Sequence, residues 1–548
     1  MTAATVPATP ARPPRAWHVP LAAPARLLRL ELRRSPILWT LPLLGVLLWL
    51  GVYRPSMASP PFWNARATAL QHAVLFLGPL LAGATAWVGS RDGRRGLTDL
   101  VGVTAVPRWT GQLTTWAATT CWAEAVYLGG VAIVYGVTAE QARWGGPLWW
   151  PAAVGAAGLA TSCALGFAAG ALRPGRFTAA LAAVVVFLAL GAGAFELQAN
   201  DVYAQIWPLN VQGPLPPDSY GIFYPYLPDL AIAQLIFLAG LAVAALGALG
   251  LPAAAGGRWL RGAAATLTAA GLVAAGTAVG LAGTARQEAH GIVISALHDA
   301  ASDGPVAYTP VCTRSAVPVC LQPAYGYLQA DVTAALGPVL DEVAGLPGAP
   351  VRVTQVAVTS VHGGPENGIA FGGAAISGSP PVLLLPLSGL SLPGEGNTHA
   401  AEFTGQLKGQ DAPLILNALV GLSGYDGLQG GTGPQGTGFG VVPPARGKAA
   451  QLAVAMALAR VAGLLQAPPG AGLPSVDGAV RSRGTPSGTG TSSGTVGRPT
   501  GKGSSSAVVR QLAAQQRFAA LPAAARHAWL VSHLAALRAG RITLSEIP

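Results

Sequence analysis

Seven long apolar runs divide the first half of the chain, at 36–53, 69–90, 112–137, 148–172, 177–197, 227–250 and 262–284. At 1.5 Å of rise per residue each is long enough to cross a hydrocarbon core of about 30 Å, the first only just. The pattern predicts an α-helical polytopic membrane bundle of about seven transmembrane helices over 26–285. Before it, residues 1–25 are rich in Pro, Ala and Arg and read as a disordered cytosolic tail. The stretch 25–34, ARLLRLELRR, puts Arg26, Arg29 and Arg33 on one helical face and Leu28 and Leu32 on another. That suits a helix in the membrane interface, or a positive flank that orients the first span.

Beyond residue 285 the periodicity becomes mixed, and 286–466 is expected to be an α/β domain. Helices are predicted over 287–301 and 324–343, the latter with Leu328, Val332, Leu336 and Leu340 at helical spacing. GLPGAP at 345–350 is a turn, 351–358 alternates like a strand, and 381–387 is a short apolar run fitting a buried strand. Helices are expected again at 411–422 and 447–465, with a glycine-rich loop at 424–440. Residues 467–506 are Gly/Ser/Thr/Pro-rich and read as a flexible linker. A C-terminal segment, 507–548, opens with two helices at 507–520 and 522–539, the second stopped by Gly540. Trp529, Leu530, Leu534 and Leu537 give it a docking face.

Composition agrees with a membrane protein. Hydrophobic residues make up 51% of the chain, charged residues only 10%, and the mean hydropathy is +0.46. The net charge of +11 raises the question of nucleic acid, but most of the basicity lies in short loops beside apolar runs. There the positive-inside rule accounts for it without a nucleic-acid partner. With the N-terminus inside, cytosolic segments carry fourteen arginines: Arg12, Arg15, Arg26, Arg29, Arg33, Arg34, Arg91, Arg94, Arg95, Arg108, Arg173, Arg176, Arg258 and Arg261. External loops carry three, Arg54, Arg66 and Arg143. The asymmetry orients the bundle, and an odd number of spans places the C-terminal half outside. No short apolar core with a small-residue cleavage site marks a signal peptide. The preference for Arg over Lys, with abundant Ala, Gly and Pro, is the bias of a GC-rich bacterial genome, so the expected location is a bacterial plasma membrane.

Cys312 and Cys320, in CTRSAVPVC, are spaced to close a small disulfide loop, which suits an oxidising compartment and contributes about 2–3 kcal/mol. Cys121 and Cys163 lie within apolar runs, where a buried inert thiol is expected. Metal and catalytic patterns are lacking. His399-Ala-Ala-Glu402 has no second histidine for a zinc site, and neither His290 with His298 nor His527 with His533 follows a ligand pattern. The segment around Lys502 imitates a phosphate loop but has the wrong glycine spacing, and Gly503 stands where Ser or Thr is needed. No cofactor, no metal and no ATPase of its own are expected. Glu124, midway along the third run, is the ionisable group that matters most. It is a translocation-path carboxylate, an interhelical hydrogen-bond partner (Gln234 being a candidate), or a tolerated protonated acid.

Between the second and third runs lies 91–112, RDGRRGLTDLVGVTAVPRWTGQ. It reads as a short amphipathic helix ended by Pro107, with Leu97, Leu100, Val101 and Val103 along the bilayer surface. An ordinary positive loop is the alternative. A basic interfacial helix, two spans and this segment, with Arg94, Arg95, Gly96, Leu97, Thr104, Pro107 and Arg108, resemble the membrane subunit of an export-type ABC transporter over roughly residues 20–250. The resemblance implies a separate cytosolic ATPase that pushes on Arg91, Arg94, Arg95, Thr104 and Arg108. It also implies a path through a homo- or hetero-dimer of such subunits. A seventh span and a large external domain depart from the family's common pattern. The rival expectations are a membrane anchor displaying an external binding or sensing domain, and a membrane-bound hydrolase.

Overall fold

The computed structural model describes residues 22–96, 107–196, 206–210, 221–253, 258–288, 291–357, 374–387, 400–422, 428–430, 439–441, 448–464 and 504–548. Among the described residues six helical stretches are long and apolar enough to cross a membrane: Ala25–Ala58, Trp63–Gly89, Arg108–Gln141, Trp149–Leu172, Asp229–Pro252 and Arg258–Ala282.

The first stretch is wound unevenly. Helix α1 (Ala22–Arg34) is followed by a 3-10 turn (Pro36–Thr40), α2 (Leu41–Leu48), a π turn (Trp49–Tyr53) and α3 (Arg54–Ala58). Pro36, Pro42 and Pro55 each remove a backbone donor, which breaks regular winding near the first turn of a new segment. The second stretch comprises α4 (Trp63–His72) and α5 (Val74–Gly89). Then come α6 (Arg108–Gln141), α7 (Trp149–Leu172), the shorter apolar α8 (Thr178–Glu196), α9 (Asp229–Ala253) and α10 (Arg258–Ala282). Two expectations change. Residues 108–112, assigned to the loop, form the first turn of α6, because Pro107 has no N–H to contribute and so precedes a helix at no cost. Arg66, counted as an external loop residue, lies inside α4 and is 1% exposed. The amphipathic helix expected around Leu97, Leu100, Val101, Val103 and Thr104 lies outside the described residues.

Small residues let these helices touch. A methyl group at Gly166 or Gly170 of α7 would overlap the carbonyl oxygens of Ala82 and Ala86 on α5. Between α9 and α10, Gly240 meets Ala275, Gly247 meets Thr268 and Gly271 meets Ala244 in the same way. Apolar side chains gain nothing by leaving lipid, so close backbone approach supplies the packing energy.

In the C-terminal half, the expected helix at 287–301 is instead a hairpin of β1 (Arg286–Glu288) and β2 (Gly291–Val293). Gly291 has φ 145°, outside the range of a helical residue. Ile292, Val293 and Ile294 are buried consecutively, as a covered strand requires and an amphipathic helix does not. The five-stranded sheet has the order β3 (Val311–Cys312), β4 (Val319–Leu321), β5 (Arg352–Gln355), β7 (Val382–Leu385), β6 (Ala375–Ser377). Its inner pairs β4–β5 and β5–β7 are parallel and its outer pairs antiparallel. Helix α11 (Gln329–Val343) buries Val332, Leu336 and Leu340 of the expected stripe, with Val339 beside them, and the fourth member, Leu328, ends the 3-10 turn Pro323–Leu328 that precedes it. Within the expected glycine-rich loop, β8 (Leu428–Gly430) pairs with β9 (Phe439–Val441).

Helices α12 (Ala400–Gln406), α13 (Ala412–Val420) and α14 (Ala449–Val461) complete the domain. The last two helices, α15 (Ser504–Ala520) and α16 (Ala523–Arg538), bury Phe518, Leu530, Leu534 and Leu537 in this same core. Gly540 (φ 66°) ends α16, its N–H reaching Leu537 O and that of Arg541 reaching Ala536 O. The core also takes in Phe62, Ile222 and Phe223 from the helix connections. The Phe62 ring packs tilted against Tyr325 with centroids 4.8 Å apart, and Trp144 and Phe223 both meet Tyr308 edge-on. The connections α3–α4, α6–α7 and α8–α9 therefore all meet the α/β domain at one end of the bundle.

Candidate functional site in the helix bundle

Helix α6 carries a row of polar side chains at four-residue spacing: Gln112, Trp116, Thr120 and Glu124. Gln112 Oε1, Trp116 Nε1 and Glu124 Oε1 are buried with no hydrogen-bond partner among the described residues, while Thr120 shares a hydrogen bond with the Cys163 thiol of α7. The neighbouring threonines differ. Thr114, Thr115, Thr119 and Thr138 all turn their hydroxyls onto carbonyls three or four residues back. At the level of Glu124 the groups within electrostatic reach are Tyr127, on its own helix, and Cys163 on α7. Tyr127 sits just beyond and gives its hydroxyl to the carbonyls of Leu70 and Ala152, both at 3.2 Å.

Gln234 is not Glu124's partner. Its amide donates at 2.8 Å to the carbonyls of Trp207 and Asn210, in a short segment that enters the bundle. Gln71 donates to the carbonyls of Pro208 and Asn210, also at 2.8 Å, and His72 Nε2 meets Leu209 O at 2.8 Å. Ile206, Leu209 and Asn210 are buried. Irregular backbone can sit among membrane helices only when its polar groups are satisfied by protein, and these three side chains do so. The segment closes the bundle between α4 and α9, at the end covered by the α/β domain. Gln71, His72 and Asn210 were not singled out from sequence, although two adjacent polar residues within the apolar run 69–90 were a signal. Nearby, the buried Arg66 ties the α3 end to the α6 end through Ser56 O, Thr138 Oγ1 and Gln141 Oε1, at 3.2, 3.0 and 2.6 Å.

The opposite end holds the arginines. Arg91 lies 3.7 Å from Glu31 of α1 and 3.4 Å from Asp92. Arg94 donates to Trp87 O at 2.8 Å and covers the Trp87 ring at 4.8 Å, while Arg95 is exposed. Gly93 packs on Pro174 in the α7–α8 connection. Arg108 opens α6, and the next residue, Trp109, donates its indole N–H to Leu246 O of α9 at 3.0 Å. Trp122 of α6 likewise reaches Leu32 O of α1 at 2.9 Å. Of the loop residues expected to act together, Arg91, Arg94 and Arg95 share one short turn, Arg108 is the first residue of α6, and Thr104 is outside the described residues.

Cys312 and Cys320 face each other in the β3–β4 register and form a disulfide with Cα atoms 4.0 Å apart. His290, His399 and Lys502 lie outside the described residues, and His533 stacks on Trp529 at 4.7 Å. Among the described residues no three His, Cys, Asp or Glu side chains form a metal-ligand set. His298 instead bridges two carboxylates, its Nδ1 at 3.1 Å from Asp229 Oδ2 and its Nε2 at 2.8 Å from Asp303 Oδ1. Comparison with protein-family models, with curated proteins and with solved structures gives no match.

Proposed function

We propose that the chain is a seven-span permease-like subunit of a bacterial plasma membrane, driven by a separate cytosolic ATPase of the ABC type. Its arginine-bearing end faces the cytoplasm and its α/β domain lies outside. The seventh crossing is supplied by α8. Ala179 and Ala183 lie against Gly83 of α5, and Leu190 against Gly78, so α8 runs antiparallel beside a spanning helix. A crossing there also lets the α6–α7 and α8–α9 connections share the outer side, where both meet the α/β domain. Exposed Trp39, Phe177, Leu181, Leu188 and Trp259 then face lipid or a second subunit.

The observation that carries the transport reading is the row on α6. This helix bears unpaired polar groups inside the bundle, Gln112 and Trp116, and above them a carboxylate, Glu124, which lipid-facing helices avoid. Closure of the ATPase would press on the turn at Arg91–Arg95, and α1, α5 and the α7–α8 connection are all in contact with that turn. Alanine at Arg94, Arg95 and Arg108 together should reduce co-purification of the ATPase at least several-fold while the membrane-inserted protein remains folded. Undiminished association would remove the coupling role.

A second reading, a membrane anchor that displays the α/β domain, is favoured by the core shared between that domain and Phe62, Ile222 and Phe223. It predicts that no ATPase co-purifies with the wild-type protein.

A further inference from the structure

Helix α1 carries its charge on one side. Arg26, Arg29, Arg33 and Arg34 are exposed with Leu30 among them, whereas Leu27, Leu28, Glu31 and Leu32 are half-buried. The inner side is fixed at two points: the Trp122 indole of α6 donates to Leu32 O at 2.9 Å, and Arg91 lies 3.7 Å from Glu31. The arginine side is therefore held outward, and none of its four guanidinium groups has an ion-pair or hydrogen-bond partner among the described residues. A short way along the same stretch the exposed surface turns apolar, with Trp39 (90% exposed), Leu43, Val46 and Leu50. The same border recurs on neighbouring helices of this end. Arg176 covers the exposed Phe177 ring at 5.8 Å, and the exposed Trp259 stands between Arg258 and Arg261. Exposed aromatic rings beside basic residues mark the headgroup level of a bilayer.

We infer that the outward face of α1 is a binding surface for anionic phospholipid headgroups, with Arg26, Arg29 and Arg33 donating to lipid phosphates and Leu30 entering the boundary between headgroups and acyl chains. A guanidinium presents its donors in a planar fork that matches phosphate oxygens, and an anionic leaflet attracts basic residues placed beside a membrane span. The nearest acids, Glu31 and Asp92, both lie against Arg91 and leave the outward arginines unneutralised. An apolar side chain inside the charged face, continuous with the exposed Trp39, Leu43, Val46 and Leu50, selects lipid over a soluble protein or a nucleic acid. The inference goes beyond the permease reading. It uses residues other than Arg94, Arg95 and Arg108 and needs neither an ATPase nor a choice of which leaflet is cytoplasmic, so the two can fail separately.

Electron paramagnetic resonance of the purified full-length protein in phosphatidylcholine bilayers tests it, with trace spin-labelled phosphatidylglycerol or spin-labelled phosphatidylcholine as the probe. The fraction of each probe immobilised by the protein gives its relative association. The wild-type protein should prefer phosphatidylglycerol by about threefold or more, and the preference should fall as salt is added. Arg26→Gln, Arg29→Gln and Arg33→Gln together should remove at least half of it, while Lys at the same three positions should keep most of it. Arg29→Gln alone, which leaves the other arginines to orient insertion, should lower it in the same direction. Equal immobilisation of the two probes by the wild-type protein would assign the face to a soluble partner and overturn the proposal, as would a preference unchanged in both glutamine variants.

Discussion

Asp411 shows most simply how one side chain sets a measurable property. It is 3% exposed, its Oδ1 accepts the Ala374 N–H at 3.4 Å, and its Oδ2 has no hydrogen-bond partner among the described residues. Burial pushes its pKa up to about 7, against a smaller downward pull from the Ala374 N–H. An unfolded aspartate ionises near 4. Between about 4 and 7 the folded state therefore holds the extra proton, and stability falls as pH rises through that window before levelling off. Asp411→Asn should remove this slope and stabilise the full-length protein at pH 8 by about 1–3 kcal/mol, part of the gain being lost to the unpaired amide. Thermal unfolding in detergent at pH 5 and pH 8 measures it. The residue was invisible in the sequence, where it is one of many acids. Glu124 stood out only because it is charged within an apolar run. Gln112, Trp116 and Thr120 carry its four-residue spacing, yet spacing does not say which face of a helix is buried.

At the scale of elements, the glycine contacts make a sharper prediction. Gly166 and Gly170 hold α7 against α5 with no room for a side chain, whereas Gly276 of α10 has open space around it. Gly170→Val should destabilise the bundle by roughly 1–3 kcal/mol through forced separation of the helices, and Gly276→Ala should be neutral within experimental error. Thermal unfolding of the two variants separates the outcomes, and equal behaviour would count against the α5–α7 packing. Element type was legible where apolar periodicity ran long, as in α6 and α11, whose buried Val332, Leu336 and Leu340 follow the expected stripe. It was not legible at 287–301, where a hairpin forms at Gly291 and the apolar run Ile292–Ile294 is too short for periodicity to tell a buried strand from a helix. The inserted segment at 206–210 was hidden for another reason. Its anchors, Gln71 and Gln234, lie far from it or beyond a connection, and no local pattern joins a side-chain amide to a distant carbonyl.

Across the whole molecule, bundle and α/β domain meet at His298. Burial draws its imidazole pKa down, but the Asp229 and Asp303 carboxylates outweigh that and hold it above the ordinary histidine value. A raised pKa means that the link is fully stabilising below about 6.5 and weakens as pH climbs through the elevated value. The Ile294 amide, bonded to Asp229 Oδ2 at 3.0 Å, reports on it. Its hydrogen-exchange protection, corrected for intrinsic rate, should decline over that window, and His298→Gln should flatten the dependence. Protection independent of pH in the wild-type protein would show that protonation of His298 does not hold the junction.

The orientation proposed for the molecule underlies each role proposed for it: arginines at the cytoplasmic face and the α/β domain outside. A reporter active only after export, fused after Pro548, measures that orientation directly in bacterial cells, with a cytosol-restricted reporter at the same position as its counterpart. Seven crossings with an internal N-terminus predict activity from the exported reporter alone. Activity from the cytosolic reporter alone would put the C-terminal domain inside and contradict the account.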